Sequence, residues 1–202
     1  MPRIATARDA AEPSSQEQHA RHERILDAAA RLATETELQR VQMHEVAKEA
    51  GVAIGTLYRY FPSKTHLFVA VMVNQIEQMS YSLVRHPAAV TSAQDGVYDI
   101  LMRATRALLR RPALSNAMIQ STSAANVTLV PDAGRVDALF HRLLLDAARI
   151  EQPTDDESTA LRLLVRLWFG VVQSCLNGRA SVADAESDIR RGCDLLLVAL
   201  DR

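Results

Sequence analysis

The segment VAKEAGVAIGTLYRYFPSK, residues 46–64, limits what this chain can fold into more than any other. Two short runs with helical apolar spacing flank a single glycine. The first, about 42–50, carries Val46, Ala47 and Ala50 on one face. Gly51 then supplies the left-handed backbone position that ends a helix at little steric cost, and Val52 follows as an apolar plug. The second run, about 54–60, is anchored by Leu57 and closed by Phe61. Pro62 ends it, because the residue before a proline avoids helical angles. Two short helices joined by a turn of about three to four residues containing Gly fit a helix-turn-helix. Ala47 has to be small, since the paired helices cross closely there.

The flanking sequence agrees. Residues 1–18 lack periodicity and read as a disordered arm. From Gln18 a stripe of Ile25, Ala29, Leu32 and Ala33 marks a first helix that fades in the polar stretch 34–39. Ser63 is placed to cap a long helix reaching Arg85, with Leu67, Phe68, Val71, Met72 and Gln75 inward. His86–Pro87 and 91–94 mark a module boundary. Beyond it, breaks at Pro112, Pro131, Pro153 and Gly178 delimit helices at about 94–110, 113–124, 132–150, 155–177 and 183–201. With 4% aromatics, seven Gly and seven Pro in 202 residues, the composition disfavours a sandwich or barrel. The expected fold class is all-α, a three-helix helix-turn-helix domain (19–85) followed by a helical domain (86–202).

The outward face of the second short helix is expected to show Gly55, Thr56, Tyr58, Arg59 and Tyr60. Gly55 lets backbone approach a groove. Thr56 suits a base edge or thymine methyl, and Arg59 a guanine or phosphate. The tyrosine hydroxyls suit phosphate oxygens, and Lys64 opens the next helix, where the N-terminal dipole end already favours an anion. Tyr58 and Tyr60 also fit as half-buried packing residues, and Arg59 as a solvated charge. Net charge is −1, which excludes a uniformly basic coat for nucleic acid. Within 54–66, however, Arg59 and Lys64 meet no acid, so positive potential is local to this face.

RILDAAARLA followed by VAKEAGVAIGTLYRYFPSK resembles the amino-terminal domain of the TetR family of bacterial transcriptional repressors, over about residues 21–81. The resemblance implies a homodimer with a carboxy-terminal ligand-binding and dimerisation domain that encloses an inducer pocket. By position it assigns DNA contact to His44, Thr56, Tyr58, Arg59, Tyr60 and Lys64, and Ala53 and Gly55 complete the expected DNA-binding set. One departure matters: many members cap the recognition helix with Ser where this chain has Ala53. VQM…GTLYRYFPSKTHL, with the later RRPALSNAM and GRASV, is also similar to a narrower branch, actinobacterial KstR-type regulators of steroid and lipid catabolism. The implied partners are a double-stranded DNA operator of pseudo-palindromic sequence, a second copy of the chain, and a small apolar inducer.

In the second half, the helix at 155–177 is apolar nearly all round. Leu161, Leu164, Val165, Trp168, Val172 and Cys175 form one side, while Leu163, Leu167, Val171 and Ser174 fall elsewhere. A helix apolar on most faces must be covered on most faces. The last helix, with Ile189, Cys193, Leu196, Leu197 and Leu200, is its natural companion, and the pair from two subunits would make a four-helix interface. Expected pocket residues are Met102, Leu109, Met118, Phe140, Leu144, Trp168, Phe169 and Val172. Each also fits ordinary core, and only the resemblance gives reason to expect a cavity. Trp168 needs a partner for its indole N–H. Residues 100–131 hold no acid, and Arg103, Arg106 and Arg110 share one helix face. They suit either pairing with acids elsewhere or the phosphates of a coenzyme A thioester.

An enzyme is not expected. His44–Glu45 is not followed by the HExxH spacing, and no GxSxG, GxGxxG or CxxC is present, so neither a metal nor a cofactor is implied. Cys175 and Cys193 are too few for a disulfide framework and read as inert small hydrophobes. No secretory signal opens the chain, and Arg162 and Arg166 are expected to keep the most apolar helix short of a membrane span. The expected setting is cytoplasmic. The rival reading is a ligand- or protein-binding module of the same fold that has lost DNA binding.

Overall fold

The computed structural model describes residues 10–85 and 92–198, and among them the regular elements are α-helices. Residues 1–9 of the expected arm, the break at His86–Pro87 and Leu200 lie outside the described residues. The chain forms two compact units, Met1–Gln75 with Ala113–Val136 and Ile76–Pro112 with Asp137–Arg202.

The first unit contains α1 (Gln16–Glu35), α2 (Met43–Glu49), α3 (Ile54–Tyr60), the first part of α4 (Lys64–Arg85) and most of α6 (Pro112–Ala124). Helix α1 starts two residues before the apolar stripe suggests, because the Ser15 side chain accepts the Gln18 amide and caps it. Its Ile25, Ala29 and Ala33 are fully buried. Helix α2 packs on α1 and α3. Val46, Leu57, Phe61, Leu67 and Phe68 complete this core, and Ala47 is buried as a close crossing requires. Gly51 adopts φ 65°, the left-handed turn anticipated from the sequence. Ser63 caps α4 through the His66 amide, as expected.

The second unit contains α5 (Ala93–Arg110), most of α7 (Asp132–Ala148), α8 (Asp155–Leu176) and α9 (Val182–Leu196). Helix α9 packs against α8 and α5. Thr154 with Glu157 and Ser181 with Asp184 form capping boxes at the starts of α8 and α9, each satisfying amides that a helix start leaves free. These backbone and side-chain hydrogen bonds hold the Glu157 and Asp184 carboxyls below their ordinary pKa values. Gly192 lets α9 close on α8, since a Cβ there would press on the ends of Leu167 and Leu164 at 3.2 and 3.3 Å. Gly96 is tighter still: a Cβ would overlap the Ala147 carbonyl oxygen.

Three expectations are corrected. Helix α7 ends at Ala148 rather than 150, because Arg149 turns left-handed (φ 58°) and the Ile150 amide reaches back to Leu145 O. Helix α9 ends at Leu196 rather than 201. The Leu197 carbonyl, which a continuing helix would use, accepts instead from Gln94 Nε2 at 3.2 Å. By length and composition α8 does suffice to cross a membrane despite Arg162 and Arg166. A core helix passes the same test, and Leu161, Leu164, Trp168 and Val172 are buried within this unit.

Candidate functional site

Gln42 and Glu45 form a capping box that starts α2. After Gly51, the Val52 amide bonds Ala47 O at 2.9 Å and fixes the turn. Helix α3 then starts from Ala53 with no side chain accepting its first amides, so the cap missing from the sequence is missing from the fold. The structure leaves His44, Ala53, Gly55, Tyr58 and Arg59 exposed and Thr56 half-buried. A Cβ at Gly55 would meet nothing within 4 Å, so the free approach there is on the outer side.

Tyr60 is corrected: it does not face outward. Only 2% of it is exposed, because it lies three residues after Leu57 on the inner face of α3. Its ring sits edge-on to His22 (5.7 Å between centroids) and beside Phe61 (6.3 Å). The Arg59 guanidinium lies 5.1 Å from the Tyr60 ring centre and donates to its hydroxyl at 3.3 Å. Tyr60 therefore holds Arg59 from below. Burial pushes the His22 imidazole below its ordinary 6.5, with Asp132 opposing and His19 adding to the shift.

Lys64 is half-buried, and its ammonium donates to the carbonyls of Leu38 (2.9 Å) and Gln39 (3.3 Å). It ties the loop after α1 to the start of α4. His66 bridges Ser63 Oγ (2.8 Å) and Leu129 O (3.0 Å). The outward side of α3 carries the exposed Tyr58 phenol and Arg59 guanidinium, with Thr56 half-buried at its edge and no carboxylate among residues 54–60, a donor-rich surface suited to an anionic duplex.

In the second unit, Phe140 stacks on Trp168 at 4.9 Å and 23°. The Trp168 indole N–H donates to Thr105 Oγ1 at 2.8 Å. Met102, Leu144 and Val172 are buried, while Leu109 and Phe169 are half-buried. Met118 is buried too, but in the first unit. Thr105 was missed by sequence reasoning. Its signal was present, a hydroxyl among Val97, Ile100, Leu101 and Ala104 on the apolar face of α5. A cleft of about 240 Å³ in the first unit contains none of the expected pocket residues; Glu37, Leu38, Gln39, Asn116, Ala117 and Gln120 are among those that line it.

Of the arginine stripe, Arg103 pairs with Asp99 (2.7 Å) and Arg106 with Glu186 (3.7 Å), whereas Arg110 is exposed. Arg190 stacks on Tyr98 at 3.4 Å and bonds Asp95 at 2.8 Å, joining α9 to α5. Burial raises the Cys193 thiol to about 12 and also raises Cys175, which keeps both protonated and unreactive at neutral pH.

An all-helical chain with an exposed, acid-free second helix in a helix-turn-helix defines a helix-turn-helix transcriptional regulator. The chain belongs to the TetR family. The family model for bacterial regulatory proteins of the tetR family matches residues 25–71, and that for the tetracyclin repressor-like C-terminal domain matches residues 91–196. The chain is 34% identical over 184 residues to the HTH-type transcriptional repressor KstR of Rhodococcus jostii, covering 91% of this chain and 86% of that one. It is 71% identical, with a TM-score of 0.87, to a crystal structure of a TetR transcriptional regulator from Rhodococcus sp. RHA1, covering 91% and 98% of the two chains. Thermus thermophilus FadR, a TetR-family repressor solved with lauroyl-CoA, shares the fold at 20% identity and a TM-score of 0.64, covering 87% of this chain and 93% of that one.

Proposed function

We propose that this chain is a cytoplasmic repressor that binds a pseudo-palindromic operator as a homodimer and leaves it when a hydrophobic inducer binds. Residues 19–85 read the DNA and residues 86–202 bind ligand and dimerise. The observation that carries the reading is the exposed, acid-free face of α3, with Arg59 braced by Tyr60. His44, Gly55, Thr56, Tyr58 and Arg59 make the direct contacts, Ala53 opens the helix toward the phosphates, and Tyr60 and Lys64 position the reading helix. The likeness to KstR supports repression as the mode of action.

Dimerisation rests on α8 and α9. Leu163 (44% exposed) and Leu167 (39%) on α8, with Leu195 (61%) on α9, form an uncovered apolar face of the kind a two-fold partner buries. The inducer enters the Phe140–Trp168 cluster with Met102, Leu109, Leu144, Phe169 and Val172. The inducer classes that fit are a lipid, a steroid or an acyl-CoA, the last supported by analogy with the lauroyl-CoA complex of FadR. The pairing of Arg103 and Arg106 with acids weakens the phosphate role for those two side chains and leaves Arg110 for it.

The test is selection of bound fragments from random and genomic DNA pools, repeated at low and moderate salt, because non-specific phosphate binding weakens steeply with salt. Enrichment of a two-fold sequence that survives moderate salt is the expected result. No enrichment, even after ligand is stripped by unfolding and refolding, would favour the module that has lost DNA binding. That second reading draws on two observations, the uncapped start of α3 and the engagement of Lys64 with Leu38 and Gln39.

A further inference from the structure

Helix α3 exposes apolar surface as well as polar groups. Ile54, its first residue, is 43% exposed, and Tyr58 is 47% exposed. The two stand four residues apart, which makes them neighbours on the helix surface. Elsewhere on the same helix Leu57 and Tyr60 are buried and Thr56 is half-buried. Ile54 is flanked by Ala53 and Gly55, and a Cβ at Gly55 would meet nothing within 4 Å. The branched side chain therefore has small neighbours on both sides at the start of the helix. Alanine would be the better helix former there and would leave less apolar surface in water, so helix formation does not call for isoleucine.

We infer that Ile54 reads a thymine methyl group in each half-site of the operator. The inference rests on the operator-binding reading above and adds a specificity-determining residue to it. In a helix-turn-helix the second helix turns its N-terminal residues to base edges in the major groove, and Ile54 opens that helix. The duplex itself fixes what an apolar side chain can meet there, because the thymine C5-methyl is the apolar group on the major-groove edges. Ile54 is continuous with Tyr58 and Arg59, and residues 54–60 hold no carboxylate, so the surface around it suits an anionic duplex. Cytosine presents an N4 amino group at the same edge. Isoleucine offers that donor no acceptor, so the contact favours T·A over C·G. Thr56 carries the other methyl on α3 suited to a thymine, but it is half-buried.

The experiment uses the full chain and its I54A, I54V and T56S variants. Each is titrated with the selected operator and with operators in which thymines are replaced, one position at a time, by deoxyuridine. That base keeps its pairing and lacks only the methyl. At one symmetry-related position wild type is expected to lose about four-fold per half-site, and about 16-fold for both, the worth of one buried methyl group in each. I54A is expected to bind the unmodified operator more weakly by a similar factor and to show no further loss at that position, with I54V intermediate. The salt slope should not change, since no charge is removed. A variant that merely weakened the fold would lose affinity for every duplex alike and keep the uracil penalty. A penalty that persists in I54A, or that disappears in T56S instead, overturns the inference. So does an operator without a uracil-sensitive thymine. Absence of operator binding by the unmutated chain overturns the DNA-binding reading and the role of Ile54 with it.

Discussion

Trp168 and Thr105 meet through a single hydrogen bond, indole Nε1 to Oγ1 at 2.8 Å, and Thr105 in turn donates to the Leu101 carbonyl at 2.7 Å. Thr105 is fully buried and Trp168 nearly so, so neither group has water as an alternative. The bond fixes the rotation of the indole on α8 and thus the plane on which Phe140 stacks. In T105V the shape is kept but the indole N–H is stranded. A destabilisation of about 1–3 kcal/mol is expected, together with a shift in the emission of the single tryptophan. Denaturation followed by that emission measures both, and a loss below about 0.5 kcal/mol would remove this bond from the account of the core.

Gly96 makes an opposite kind of demand. Helix propensity alone would reward alanine by about 1 kcal/mol. The added methyl would overlap the Ala147 carbonyl oxygen, which is backbone and cannot rotate aside. Overpacking of this sort costs about 1–3 kcal/mol or more, so G96A is expected to lose about 2 kcal/mol net. Urea unfolding of G96A is the check, and a gain in stability would mean that α5 and α7 approach less closely than described.

His22 ties stability to pH. Its imidazole packs against Tyr60 and Phe61, and burial lowers its pKa from 6.5. In the unfolded chain the ring takes a proton near 6.5, whereas the folded protein resists until lower pH. The stabilisation is therefore complete above 6.5 and is lost progressively as pH falls through the folded value. The urea midpoint should drop as pH is lowered from 6.5, and H22Q should flatten that dependence. Equal slopes in the two proteins would show that other groups govern the acid limb.

Much of this fold was legible because its signals are local. Gly51, Pro62, Ser63 and the 3.6-residue stripes set boundaries within a residue or two. The ends that failed depended on distant partners: α9 stops where Gln94 takes the Leu197 carbonyl, and α7 stops at a left-handed Arg149 that no composition rule favours. On α3, residues 55 to 60 look alike as a string, and only the inward phase set by Leu57 separates buried Tyr60 from exposed Tyr58. Ala11 on Arg59 and Lys64 on Leu38 are contacts across the chain with no spacing signature.

The uncapped start of α3 gives the sharpest separation between stability and reading. Ala53 has extended geometry, φ −65° and ψ 143°, and offers no side-chain acceptor to the first amides of α3; the Thr56 amide bonds the Ala53 carbonyl at 2.9 Å instead. A serine would supply the acceptor without altering the backbone, and caps of this type contribute about 0.5–2 kcal/mol. A53S is expected to raise the unfolding free energy by that amount. Its hydroxyl also adds a donor at the face proposed to meet phosphates, so operator affinity should rise several-fold with little change in the salt slope, since no charge is added. Parallel denaturation and operator titration of A53S distinguish the outcomes. Stability gained with unchanged affinity would confine position 53 to a structural role, and no gain in stability would show that solvent already satisfies these amides.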